Sequence, residues 1–152
     1  MQKKFHHIAR GIIIMDGQVL VAHAKGWENT FLPGGHIELG ESAAATLPRE
    51  LQEEIGIRGE VGRFIGLLEA DWADTEKDMH HFEISQVFEV TSPDLTAGVN
   101  PASAEDHLEF YWVPATMEAL TACQLMPVPF REMIATLPER GEKAFWGTTL
   151  TI

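Results

Sequence analysis

The stretch GHIELGESAAATLPRELQEEIGI, Gly35 to Ile57, decides how this chain is read. An α-helix turns by about 100° per residue. Glu50, Glu53 and Glu54 stand at i, i+3 and i+4 and therefore share one side of a helix. Leu47, Leu51 and Ile55 recur every fourth position and form the opposite, apolar side. Ser42 is placed to cap the N-terminus, and Gly56 to supply the left-handed residue past the C-terminus. The spacing thus predicts a helix over 42–55. Pro48 lies inside it, removes one backbone hydrogen bond and crowds the preceding turn. We therefore expect the first half of the helix to be kinked or broken, which leaves open where Glu41 stands relative to the later glutamates.

Like charges on one helical face repel by a few tenths of a kcal/mol per pair at an open surface, roughly. Taken alone, E-x-x-E-E reads as a solvated acidic face. A hard divalent cation reverses the balance, because Mg²⁺ takes oxygen ligands and bridges carboxylates to phosphates. The residues around the glutamates decide between these readings. Gly35, Glu41, Arg49, Glu50, Leu51, Glu53, Glu54, Gly56 and Ile57 fill every specified position of a spaced pattern. That pattern resembles the Nudix box, Gly-x5-Glu-x7-Arg-Glu-U-x-Glu-Glu-x-Gly-U, with U an aliphatic residue.

The resemblance implies an α/β fold, a Nudix-type α/β/α sandwich with a mixed sheet, filled by one domain over 1–152. It also implies a hydrolase that cleaves a diphosphate linkage in a nucleoside diphosphate derivative or a nucleoside triphosphate. Its cofactor would be Mg²⁺, with Mn²⁺ as a substitute. Glu50, Glu53 and Glu54 would be metal ligands, joined by the carbonyl of Gly34. Glu53 and Glu50 would act in catalysis with Arg49, which orients the cluster, while Glu41 and Gly35 support it. Many members take a further base from outside the box. Glu105 and Glu109 are candidates here, as are Asp106 and Glu69. Trp27, Arg10 and His81 are candidate substrate contacts: an indole for stacking, a strand cation, and one of two histidines at a strand start.

Two other readings compete. A Nudix-like domain that binds nucleotide without turning it over would ordinarily lose box glutamates, and none is missing. A prenyl diphosphate isomerase-like enzyme would require an active-site cysteine, and Cys123 stands far from the box in sequence.

With 152 residues and 45% apolar content, the chain has the length and composition of one globular domain with a real core. Its net charge of −12 argues against long nucleic acids, whose phosphates are met by lysine and arginine. A small nucleotide remains compatible, since a bound cation inverts the local sign. Cys123 is the sole cysteine and has no intrachain disulfide partner. No segment approaches the ~20 apolar residues that span a bilayer. A cytoplasmic protein is expected, with no membrane partner, and family habit suggests a homodimer.

Outside the box, 8–15 reads as a buried strand, Asp16-Gly17 as a hairpin turn and 18–24 as the returning strand. His6 and His7 read as alternating buried and exposed strand positions. An extended segment is expected over 63–70, a polar loop over 71–78 and a long strand over 80–90. A loop over 92–106 precedes a strand at 107–113. Helices are expected at 115–120 and 130–137, and a last strand within 143–152.

Overall fold

The computed structural model describes residues 1–151. Alternation and β-branched content build the first strand, β1 (Gln2–Ile12), in which His6 is buried and His7 exposed. β2 (Ile14–Met15) then turns at Asp16 and Gly17 into β3 (Gln18–Ala24). Both turn residues have positive φ, 49° and 75°, the backbone that a two-residue hairpin needs. β4 (Thr30–Phe31) and β5 (Gly34–His36) lead to helix α1 (Ala43–Glu54). Two long strands follow, β6 (Glu60–Asp74) and β7 (Met79–Thr91), and then β8 (Leu108–Pro114). Helices α2 (Met117–Ala122), α3 (Pro129–Ala135) and α4 (Leu137–Arg140) precede the closing strand, β9 (Phe145–Thr148).

One sheet has the order β5-β1-β7-β6-β9. It is mixed: β1 runs parallel to β7 and β6 to β9, while the other pairs are antiparallel. In the second sheet β3 is central, with β8 along one edge and β2 and β4 along the other. Two apolar clusters separate the layers. Leu47 and Leu51 of α1, with Ile55 just past its end, pack with Ala9, Leu20 and Phe110. Leu120 of α2 and Phe130, Met133 and Ile134 of α3 pack with Leu68 and Val87. Helices thus cover strands from two sides, and the α/β/α arrangement with a mixed sheet is observed. Among the described residues no helix is long and apolar enough to cross a membrane.

Four local expectations change. α1 runs unbroken through Pro48. The bond that proline cannot donate belongs to the carbonyl of Ala44, an exposed residue whose carbonyl water can serve. Ser42 Oγ meanwhile caps Ala45 N at 3.0 Å, and fully buried Leu47 and Leu51 pin both sides of the proline. The polar loop expected at 71–78 shortens to 75–78, because Asp71 to Asp74 continue β6 against Phe82 to Met79. β1 begins at Gln2 rather than near Ile8, drawn out by its parallel register with β7 from Gln2↔Met79 to Ile12↔Glu89. The helix expected over 130–137 divides in two, with Pro138 in the first turn of α4. Ile152, the last residue of the segment read as a final strand, lies outside the described residues.

The missing Ala44 bond makes a testable statement about α1. Replacing Pro48 with alanine should raise unfolding free energy by about 1–2 kcal/mol, part of the helix penalty of proline being offset by its stiffer unfolded chain. Urea denaturation measures this. A destabilised variant would mean that the ring's packing outweighs the lost bond.

Candidate active site

The box folds around one guanidinium. Arg49 Nε and Nη2 donate to the two oxygens of Glu41 at 2.7 and 2.9 Å, a fork on a carboxylate. Nη2 also donates to the His36 carbonyl at 3.1 Å, which ties the helix to the end of β5. Nη1 reaches Glu50 Oε1 at 3.0 Å and Glu53 Oε1 at 3.5 Å. Thr46 Oγ1 adds a 2.7 Å bond to Glu41. Glu41 is therefore fixed beside the helix, eight residues before its partner in sequence. The hydrogen bonds from Arg49 and then Thr46 pull its carboxyl down to about 2.

The other side of the cluster has the opposite electrostatics. Burial pushes the Glu54 carboxyl up to about 8, with the Glu50 charge adding to the rise and Arg10 opposing it. Glu54 Oε2 is buried and has no hydrogen-bond partner among the described residues. Burial raises Glu50 as well, against the pull of Arg49. Gly35 makes this crowding sterically feasible. A Cβ on it would stand 2.5 and 2.7 Å from the two Glu50 oxygens, closer than packing allows. Gly34 needs its missing side chain for another reason, since its φ of 144° is open to few other residues and a Cβ would strike the Ala9 carbonyl. The box carboxylates form no ready three-ligand cage among the described residues. Arg49 holds Glu50 and Glu53 instead, the arrangement like charges adopt around the nearest cation.

The candidates outside the box separate. The loop bearing Glu105 is tied to the end of α1 by Ala104 N, which donates to the Glu54 carbonyl at 2.7 Å. The Glu105 charge adds to the rise of the Glu54 carboxyl. Glu109 points from β8 to His23, 3.6 Å away, and is exposed. Glu69 accepts from Trp146 Nε1 at 3.1 Å. Cys123 sits at the end of α2, its Sγ 3.5 Å from Thr30 Oγ1, packed on the cluster opposite α1. The isomerase-like reading thus lacks a cysteine at the carboxylates.

Arg10 and Trp27 line a cavity of about 480 Å³ together with Phe31, Trp72, Asp71 and Glu83. Arg10 Nη1 donates to the Leu32 carbonyl at 3.0 Å, and its guanidinium lies over Phe31. The Trp27 loop is held by His23 Nε2, which donates to the Trp27 carbonyl. His81 is not part of the lining. It stacks on Trp72, its cross-strand partner, and hydrogen-bonds through Nδ1 to His6 at 2.8 Å. Sequence reasoning missed Phe31, Trp72, Asp71 and Glu83. For Glu83 a signal existed: in H-F-E-I-S-Q-V it shares the inward phase of Ser85 and Val87.

Fold and site together define an α/β/α protein that presents a glycine-cradled carboxylate cluster beside a partly apolar cavity. The family model described as the NUDIX domain matches residues 5–136, and the chain belongs to this family. It is 31% identical over 98 residues to the ADP-ribose pyrophosphatase of Methanocaldococcus jannaschii, covering 62% of this chain and 57% of that one. It is 25% identical over 126 residues to the CTP pyrophosphohydrolase of Escherichia coli, covering 78% and 91%. The MutT protein of Methanosarcina mazei has the same fold, with a TM-score of 0.65 at 21% identity over 94% of this chain and 99% of that one. The chain spans only 22% to 91% of the length of the curated relatives that it matches.

The Arg49 fork sets a pH signature. The Glu41 carboxyl lies below its ordinary value of about 4.3. Its contribution to folding is therefore present above about pH 4 and is lost as pH falls towards about 2. Carboxyl ¹³C NMR should find the Glu41 midpoint close to 2, and Arg49→Lys, which cannot form the fork, should raise it. A wild-type midpoint near 4 would contradict the geometry.

Proposed function

We propose that this chain hydrolyses a diphosphate linkage in a nucleoside derivative, using Mg²⁺ with Mn²⁺ as a substitute. The observation that carries the reading is Glu54 Oε2, buried and unpartnered beside Glu50 in a cradle kept open by Gly35. A buried carboxylate oxygen with no donor is costly, and a hard cation satisfies it. The box glutamates and a carbonyl are all oxygen donors, the set that such a cation takes.

Glu50, Glu53, Glu54 and the Gly34 carbonyl would hold the metal. Bound there, it would neutralise phosphate oxygens and lower the pKa of a water molecule. Arg49 keeps Glu50 and Glu53 oriented while its fork on Glu41 prevents the guanidinium from swinging away. Of the two helical glutamates that Arg49 contacts, Glu53 has the more exposed side chain, 55% against 15% for Glu50. It is our candidate for taking the proton, and Glu105, whose charge adds to the rise of Glu54, is the candidate outside the box. The cavity lined by Arg10, Trp27 and Trp72 would take the nucleoside, with the indoles available for stacking. Names carried by the relatives, ADP-ribose pyrophosphatase and CTP pyrophosphohydrolase, support a pyrophosphate bond as the target.

Two measurements test this. With nucleoside triphosphates, nucleotide sugars and dinucleotides under Mg²⁺, at least one diphosphate should be cleaved, and Glu53→Gln should lower kcat by about 10²-fold or more. Full activity in that variant would remove Glu53 from the chemistry. Retained nucleotide binding with no turnover in the wild type would favour the non-catalytic reading. Gly35→Ala should preserve the circular dichroism spectrum yet weaken Mn²⁺ binding, because its Cβ displaces the Glu50 carboxyl.

Protonation gives the second test. Glu54 is raised in the folded chain, so metal-free stability should fall as pH rises from about 4.5 towards about 8. Metal competes with that proton, and Mn²⁺ affinity should climb over the same range and level off above it. Calorimetry at several pH values reads both, and a flat profile from pH 5 to 8 would contradict the assignment of Glu54.

A further inference from the structure

Arg10 stands where the box meets the cavity. On β1 it is paired with Gly34 of β5, whose carbonyl is one of the proposed metal ligands, and it lines the cavity. Among the described residues of that lining it is the one cation, beside the acids Asp71 and Glu83. Arg49, the cation of the box, has nothing left to offer a substrate. An arginine has five N–H donors. Those of Arg49 are all taken, by both oxygens of Glu41, by Glu50, by Glu53 and by the His36 carbonyl.

Arg10 is instead held on three sides with donors to spare. Nη1 donates to the Leu32 carbonyl at 3.0 Å, and the guanidinium lies 5.5 Å from the centre of the Phe31 ring. Glu83 Oε1 stands 3.8 Å from Nη2. At that separation the carboxylate offsets the charge but lies beyond hydrogen-bonding distance, so it takes none of the donors. Nε is buried without a partner among the described residues, and buried donors are ordinarily satisfied by something. Glu83 has no other duty in the fold. It faces the apolar cluster in the phase of Ser85 and Val87, opposite Ala70, where an aliphatic residue is the ordinary choice. Ser85 Oγ donates to its Oε2 at 2.7 Å, which leaves Oε1 for Arg10.

We propose that Arg10 donates to the phosphate nearest the nucleoside, and that Glu83, steadied by Ser85, is the residue that positions the guanidinium for it. This rests on the reading of the substrate as a nucleoside derivative that runs from the cavity to the box. A guanidinium presents donors in a planar fork, which phosphate oxygens match. With Arg49 fully engaged, Arg10 is the side chain available to such a phosphate beyond the metal, and its pairing with Gly34 sets it beside the glycine cradle. Glu83 supplies the counter-charge when no phosphate is bound. Being too distant to hydrogen-bond, it does not compete for the donors when one is.

The test uses tryptophan quenching under Mg²⁺ with ligands that differ only in the phosphate: AMP with adenosine, and CMP with cytidine. Arg10→Gln should weaken the monophosphates by about tenfold or more, as expected for a lost charge-assisted hydrogen bond, and leave the nucleosides within about twofold. Glu83→Gln, which keeps the size and loses the charge, should weaken the monophosphates by roughly threefold or more. Combined with Arg10→Gln it should add no further loss, because Glu83 acts through Arg10. Equal losses for monophosphate and nucleoside in Arg10→Gln, no loss for either, or a wild type with no preference for the monophosphate overturns the assignment of Arg10. Tighter monophosphate binding in Glu83→Gln would mean that its charge only repels phosphate, and that result, or losses that add in the double variant, overturns the role of Glu83. If Glu83→Gln does not fold, Ser85→Ala, which removes the donor that steadies Glu83, replaces it in the cycle. None of these ligands contains a diphosphate, so the comparisons decide even where the wild type cleaves no diphosphate and the hydrolase reading fails.

Discussion

The fork of Arg49 on Glu41 is the interaction on which the box depends. It joins a residue before α1 to one inside it, and the same guanidinium reaches the β5 carbonyl and two helical carboxylates. Without that cation, the loop before α1 and the helix face would bring their carboxylates together with nothing to offset the repulsion. Lysine, with a single compact charge, has no geometry for contacts in so many directions. Pro48 is tolerated through other contacts of the same segment. The first half of α1 is held by the Ser42 cap, by Leu47 and by the bond from Thr46 to Glu41, so one absent backbone bond does not open it.

Arg49 also divides the carboxylates into two classes. Glu41, within reach of the fork, has its carboxyl pulled down, whereas Glu54, buried and out of reach, has it pushed up. Glu50 touches both regimes, and burial prevails over its contact with Arg49. A row of chemically identical side chains thus acquires separate duties from position alone. One member is a fixed structural anion. The other is held towards its protonated form by burial, the property on which the proposed metal chemistry rests.

Arg10 connects this cluster to the cavity. From β1 it influences Glu54 on one side and faces Glu83 on the other. β1 lies between β5, which carries the glycine cradle, and β7, which carries Glu83. Strand order therefore sets the diphosphate chemistry proposed for the box next to the nucleoside site proposed for the cavity. The stack of Trp72, His81 and His6 stiffens the far wall, since each ring is held by a neighbour on an adjacent strand.

What the sequence by itself determined was local. The helix, its Ser42 cap, the left-handed Gly56, the Asp16-Gly17 turn and the shared face of Glu50, Glu53 and Glu54 follow from periodicities within a few residues. The spaced box also identified the family, because its positions are fixed along the chain. Only the tertiary structure decided where Glu41 meets Arg49, that Glu54 is buried, that the Glu105 loop is tied to the end of α1 while Glu109 turns to His23, and that β6 continues to Asp74. It also decided that Arg10, Trp27 and Glu83 share one cavity, which His81 supports without lining. The physical reason is range. Backbone geometry sets the direction of a side chain relative to its neighbours in sequence, whereas burial and charge pairing depend on which strands lie side by side and in what register, and that is set by the whole chain at once.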